Sequence, residues 1–345
     1  MIKMKKRLSC ALILALTTGL LISCGSKDGS VSNAGGNGAA GSAKEIVLGH
    51  VYAEDHNINR ASLQFKDYIE KESGGSMTVN IQPNSVLGGD EDMLEMCAYG
   101  TVTLMTPSVA SLETYAADWG VLNLPYLYDS VEDAFEAADG ELGDYLKSTL
   151  DGTEYICVGF NSNGTRNMSN NVRPITCIED LKGIKMRVMN SSTYIKWMNA
   201  LGANATPMGF NEVFTGLQQG TIDGQENGAA IAYTSGFNEV QKYFSVTEHV
   251  YDMNAIICNR AFYESLTDEE REIFDTGIRT YMEDWQRNTE VSEDGEYIAK
   301  WEESGCAVNY LEDDKKEAFR EALTPLYEEA EANFPEAWEA LSKYR

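Results

Sequence analysis

Runs in which apolar and polar residues alternate along this chain are followed by stretches with a period near 3.6. Residues 44–51 (KEIVLGHV) read as a first strand. Over residues 59–73, Ala61, Phe65, Tyr68 and Ile69 share one helical face, and Gly74-Gly75 stops the run. Residues 77–82 (MTVNIQ) alternate again. This β-α-β pattern predicts a parallel strand pair joined by a right-handed crossover. A helix is predicted from Asp90, as its N-cap, to Gly100, and a third strand over 101–106. Residues 129–150 are helical and acidic, and 155–160 form a strand of buried type. The Asn163-Gly164 pair then predicts a turn. In 184–189 (IKMRVM), Ile184, Met186 and Val188 alternate with Lys185 and Arg187. Helices follow over 191–201, closed by Gly202, and 211–219, closed by Gly220; then comes the polar, glycine-bearing TIDGQEN. Residues 248–259 read as a strand. Thr267-Asp-Glu-Glu270 is a capping box that opens a proline-free helical run to Ser304. At 1.5 Å per residue that run is about 55 Å long, more than one domain spans, with a kink expected at Gly295. A short strand over 306–311 and an amphipathic helical tail over 313–345 complete the chain.

Within this pattern Arg187 is out of place, a charge on a strand among apolar neighbours. Buried charge is costly unless paired, so Arg187 either meets an internal acid or waits for an anionic ligand. The surrounding sequence carries more. Lys185-Met-Arg187-Val-Met-Asn190, Leu201-Gly-Ala203, Pro207-Met-Gly-Phe210-Asn-Glu-Val213, Leu217-Gln-Gln-Gly220-Thr-Ile-Asp223-Gly-Gln-Glu-Asn227 and Glu239-Val-Gln-Lys-Tyr243 occur in order with almost no gap. This stretch closely resembles the solute-binding proteins of tripartite ATP-independent periplasmic (TRAP) transporters. Asn163-Gly-Thr-Arg166, Arg173-Pro-Ile175 and the Leu-Pro-Tyr of residues 119–128 fit the same pattern, and the resemblance covers roughly residues 45–333.

The resemblance implies an α/β, two-lobe Venus-flytrap fold, each lobe a sheet flanked by helices, with a long lobe-bridging helix. Lobe I is expected over 44–163 and 251–290, and lobe II over 164–250 and 291–345. It further implies that Arg187 clamps a ligand carboxylate, that Phe210 backs it, and that Asn190 and Asn227 are ligand contacts. Arg166 is placed near the hinge, as a second ligand-facing or latch arginine; a structural salt bridge is the other reading, and Glu226 is a candidate partner. Residues after the third strand line the pocket in this family, which brings in Ser108. Sialic-acid binders of the family carry a glutamate near Ser108 and an arginine near Ser111. Both are absent, which points away from sialic acid. From the rule that ligands sit beyond strand carboxyl ends, His56 and Asn57 join the candidates. The hydroxyl- and amide-rich set His56, Asn57, Ser108 and Asn163 suggests a polyhydroxylated sugar acid. The aromatics of residues 119–128 read as core rather than pocket wall.

Composition narrows the class. The 345 residues carry a formal net charge of -27, which argues against nucleic acid or anionic lipid as a partner. Residues 1–23 combine a basic start with an apolar run, the signature of a secretory signal, and contribute four bases and no acid to that sum. The run ends in Leu21-Ile-Ser-Cys24-Gly25, which resembles a bacterial lipobox, so Cys24 is the expected lipidation site. Residues 24–43 then form a flexible Gly/Ser/Asn/Ala tether. The expected location is outside the cytoplasm, lipid-anchored to the outer face of the cytoplasmic membrane or periplasmic. Five scattered cysteines remain after Cys24 and read as small hydrophobes. His50, His56 and His249 have no metal spacing, and no phosphate loop, G-x-S-x-G or H-E-x-x-H motif occurs. No enzyme activity, catalytic residue, metal or cofactor is expected. The expected function is capture of a small organic carboxylate, a uronate- or aldonate-like sugar acid or a C4-dicarboxylate, and delivery to TRAP membrane permease subunits. The alternatives are ligand presentation to a sensor kinase and, remotely, an exported hydrolase.

Overall fold

The computed structural model describes residues 43–344. The signal peptide, Cys24 and the tether up to residue 42 lie outside the described residues. Among those described, no helix is long and apolar enough to cross a membrane.

Nine strands form among them: β1 Lys44–Gly49, β2 Met77–Gln82, β3 Leu104–Met105, β4 Tyr155–Asn170, β5 Lys185–Val188, β6 Asn204–Pro207, β7 Gly224–Gly228, β8 Tyr243–Asn259 and β9 Ala307–Tyr310. They hydrogen-bond in the order β2-β1-β3-β8-β4-β7-β5-β6, with β9 on β8. The predicted parallel β1–β2 pair is present, crossing through the helix Asn57–Glu72. One end of the sheet is β2-β1-β3, meeting β8 at Ile257 and Cys258; the other is β7-β5-β6, meeting β4 at 166–170. The two long antiparallel strands β4 and β8 belong to both ends.

The length of β4 overturns one expectation. Asn163-Gly164 is not a chain-reversing turn. The strand continues through it, and register shifts between Ser162 and Thr165 and between Arg166 and Met168 absorb the extra residues as bulges. Gly164 supplies the left-handed φ of 75° that this requires. The predicted polar segment TIDGQEN is likewise a buried strand over its second half. Gly224 is there because a side chain would collide with the Ser169 carbonyl oxygen of β4. The third strand is shorter than predicted, and β8 is longer.

The long helix runs without a break from Asp268 to Glu303, opened by the Thr267–Glu270 box. It passes through Gly295 as regular α-helix. Its departure from α-geometry is a π segment at Ile278–Trp285, just after Gly277 packs against Phe65. At its start the helix buries Phe274, Ile278 and Met282 with Phe65 and Ile69 under β1 and β2. At its far end Trp301 stacks on Phe244, ring centroids 4.5 Å apart, in a cluster with helices Phe210–Gln219 and Ala229–Thr234. It therefore touches both ends of the sheet. A third cluster holds Trp119, Tyr126 and Tyr128, the core role predicted for the 119–128 aromatics, and Cys97, Cys157, Cys258 and Cys306 are buried.

Candidate functional site

The bulge in β4 turns Asn163 and Arg166 toward a cleft of about 400 Å³, part of it open to solvent, between the two ends of the sheet. The parallel strand β5 delivers Arg187 to the same cleft. Helix Phe210–Gln219 brings Phe210, β7 brings Asn227, and Ser108 comes from beyond β3. Five of the expected residues beside Arg187 thus meet around it.

Arg187 is 2% exposed. Its Nε and Nη2 both donate to the Met208 carbonyl oxygen, at 3.0 and 2.9 Å, which fixes the plane of the fork. Its Nη1 is buried with no hydrogen-bond partner. The Phe210 ring lies 6.0 Å from its Cζ. Among the described residues no acid lies within salt-bridge distance of it. Burial, aggravated by the nearby Arg166 charge, pulls its pKa down to about 10, and the group is still a cation at neutral pH.

Arg166 is occupied differently. Its Nε and Nη2 bind both carboxylate oxygens of Glu226, at 2.6 and 2.9 Å, Nη1 binds Asp252, and Nη2 also reaches the Glu226 carbonyl oxygen. Burial alone would raise the Glu226 carboxyl, but Arg166 and His249 outweigh it and hold it below the usual range. The expected Glu226 partnership is present, and with Asp252 it engages four of the five N–H groups of this guanidinium. Arg166 lines the cleft as a structural cation.

Around Arg187 the remaining groups offer both donors and acceptors. Asn163 donates to Asp252 Oδ2 at 2.7 Å and leaves its Oδ1 buried without a partner. Asn227 Oδ1 accepts from the Gly228 N–H at 3.2 Å. Ser108 Oγ accepts from the Ala110 N–H. Three further titratable residues line the cleft beyond the expected contacts. Tyr52 hydrogen-bonds Asn254 at 2.9 Å, and Glu91 stands at the rim. Asp90 is the third. The N-cap of helix Asp90–Ala98 is Gly89 rather than Asp90. The Asp90 carboxyl instead turns into the cleft, where Oδ2 accepts from the Ser108 N–H at 3.0 Å and Oδ1 has no partner. Burial, with Glu91 beside it, pushes its pKa up to about 7. Its position at a helix start concealed this: aspartate there reads as a cap.

Three candidates stand elsewhere. His56 is buried, caps helix Asn57–Glu72 by accepting the Ile58 N–H at 3.2 Å, and packs on Tyr52 with ring centroids 4.6 Å apart. It supports a cleft residue without lining the cleft. Asn57 is spent on Glu290 and Gln286. Asn190 is exposed and donates to Glu91 at 3.1 Å, and Met189 lines the cleft in its place. The cleft is further tied by Glu113. Its carboxylate accepts from the hydroxyls of Ser191 and Ser192 and from the N–H and hydroxyl of Thr193, the last two at 3.2 Å, at the start of helix Ser192–Ala200.

Comparison with known proteins gives one consistent answer. The description "bacterial extracellular solute-binding protein, family 7" matches residues 48–333. The C4-dicarboxylate-binding periplasmic protein DctP of Rhodobacter capsulatus is 32% identical over 289 residues, 82% of this chain and 85% of that protein. The crystal structure of the sugar acid binding protein DctPAm from Advenella mimigardefordensis, in complex with galactonate, superposes with a TM-score of 0.85 at 29% identity, covering 88% of this chain and 99% of that one. A TRAP periplasmic solute binding protein from Anaerococcus prevotii with bound D-glucuronate gives 0.82 at 31%, covering 87% and 98%.

Proposed function

Because the chain belongs to family 7 of the bacterial extracellular solute-binding proteins, those of TRAP transporters, we propose that it captures one small organic carboxylate between two lobes and hands it to a membrane permease. The observation that carries this reading is the Arg187 guanidinium, buried, held in plane by Met208, and with Nη1 unsatisfied toward the cleft. An unpaired donor on a buried cation is a preformed site for a carboxylate oxygen, and a charge-assisted bond there satisfies both. Phe210 shields that bond from water, which strengthens it.

The rest of the ligand meets Asn163, Asn227, Ser108 and Asp90, groups suited to hydroxyls. Among the described residues the cleft has one cation without an acid partner, Arg187, and an unpaired acid, Asp90, so a monocarboxylate sugar acid fits better than a dicarboxylate. The galactonate and glucuronate carried by similar proteins support this class. The lobes divide at 163/164, 250/251 and 290/291, near the bulges of β4, and closure brings Glu113 and Glu91 of lobe I onto lobe II. Cys24 carries the lipid that holds the protein at the membrane.

The test is calorimetric titration with galactonate, glucuronate and succinate, alongside the neutral lactone of each sugar acid. Binding of a sugar acid, absent for its neutral analogue and at least about a hundredfold weaker in Arg187→Ala, is the expected result. Equal binding of acid and neutral analogue would overturn carboxylate capture. Succinate binding tighter than both sugar acids would overturn the sugar-acid class.

A further inference from the structure

On the opposite face of β4 lies a second cavity, of about 640 Å³, part of it likewise open to solvent. The strand itself separates the two, its bulge placing two consecutive residues on one side: Asn163 and Arg166 line the ligand cleft, whereas Ser162, Gly164 and Thr165 line this one. Four carboxylates line it, Asp129, Glu132, Glu290 and Asp294, with Tyr251 as its aromatic wall, and no basic side chain does. Glu290 is 1% exposed; its Oε2 takes the Asn57 amide and its Oε1 is buried with no partner. Asp294, one helical turn on, also has a buried and unpartnered Oδ1. The nearby cations are committed elsewhere: Arg60 to Glu293, and Lys316 to Glu248. Arg320 is shared between Glu317, at 4.0 Å, and the exposed rim acid Asp129, at 3.8 Å. Two unpartnered buried carboxylate oxygens one turn apart are costly in a folded protein. Burial pushes Glu290 up to about 8 and Asp294 up to about 6, the response of acids that lack a counter-ion.

We propose that this cavity binds a small organic ammonium ion, a primary amine or diamine, against Glu290 and Asp294. An ammonium brings N–H donors as well as charge, so it would satisfy both orphan oxygens, and the Tyr251 ring offers a face to its cationic end. A metal ion fits less well. Among the described residues no three His, Cys, Asp or Glu groups converge as an ion would require. The carboxylates are spread along the cavity, as suits a ligand with some length. The strongly acidic chain favours cation capture at long range. The bound amine would join the long helix to the bulged stretch of β4, which also positions the carboxylate cleft.

The test is a melting-temperature and calorimetric titration of the full chain with 1,4-diaminobutane. The controls are neutral 1,4-butanediol, sodium chloride at matched ionic strength, and calcium chloride. The expected result is stabilisation by the diamine alone, weakened about tenfold or more in Glu290→Gln and in Asp294→Asn. Arg187→Ala should leave it unchanged, so a failure of the carboxylate reading and a failure of this one are distinguishable. If Glu290→Gln does not fold, Asp294→Asn decides alone. Equal stabilisation by sodium chloride would mean general charge screening, a response to calcium would mean a metal site, and a diamine effect that survives both substitutions would place the amine elsewhere. Each overturns the proposal, as does no response to the diamine.

Discussion

Two arginines lie buried in one cleft, and their different partners assign them opposite work. Arg166 has three carboxylate contacts with Glu226 and Asp252. Removing it strands two buried acids, so Arg166→Ala should cost about 3–5 kcal/mol of folding stability. Arg187 has no acid to strand. Arg187→Ala loses only its bonds to the Met208 oxygen, about 1–3 kcal/mol, offset by relief of an unpaired buried charge. Denaturant melts of the two ligand-free variants should therefore separate clearly, with Arg166→Ala the less stable. Asp90 gives a pH dependence. Its carboxyl is raised from 3.8 to about 7, so the neutral form is the one the folded cleft prefers. Its contribution to stability is complete below the ordinary carboxylate pKa and is lost as pH rises through about 7. A neutral Asp90 also leaves Arg187 uncompensated, so carboxylate affinity should fall between about pH 6 and about pH 8. Titrations across that range should show the slope in the wild-type chain and a flatter one in Asp90→Asn; an unchanged slope would remove Asp90 from the account.

At the level of elements, the proposed closure would rest on few contacts. Glu113 accepts four bonds at the start of helix Ser192–Ala200, where a carboxylate also meets the positive end of the helix. Glu113→Gln keeps the shape, removes the charge, and should weaken ligand affinity by about 1–2 kcal/mol without touching the ligand; small-angle scattering of the ligand-bound variant should show a larger open fraction. The same scale shows what the sequence carries. Strands β1, β2 and β5, the helix between the first two, and the Thr267 box follow from local periodicity and capping, which act within a few residues. The Arg187–Phe210–Asn227 constellation follows from a resemblance concentrated in one contiguous stretch. What was not legible depends on partners far along the chain. Asn163-Gly164 is a turn by local preference, but pairing with β8 extends it into a bulged strand. His56 looks like a loop end and is a buried cap. Asp90 looks like a cap and faces the cleft, because only the fold brings Ser108 to its carboxyl.

For the whole molecule, a formal charge of -27 opposes the approach of the anion that the cleft is proposed to hold. Like-charge repulsion is screened by salt, so the association rate of a sugar acid should rise with ionic strength, whereas for a cationic cleft it would fall. Stopped-flow titration at two salt concentrations measures this. The fold resolves the conflict by confining positive charge to one desolvated point and by using Glu226 and Asp252 to neutralise Arg166, the second arginine of the cleft. A crystal structure of the ligand-bound chain checks this division of labour between the two arginines. The expected result is a carboxylate oxygen about 2.8 Å from Arg187 Nη1, with the Arg166–Glu226 pair intact. A ligand carboxylate on Arg166 with Glu226 displaced, or a ligand that leaves Nη1 unpartnered, would contradict it.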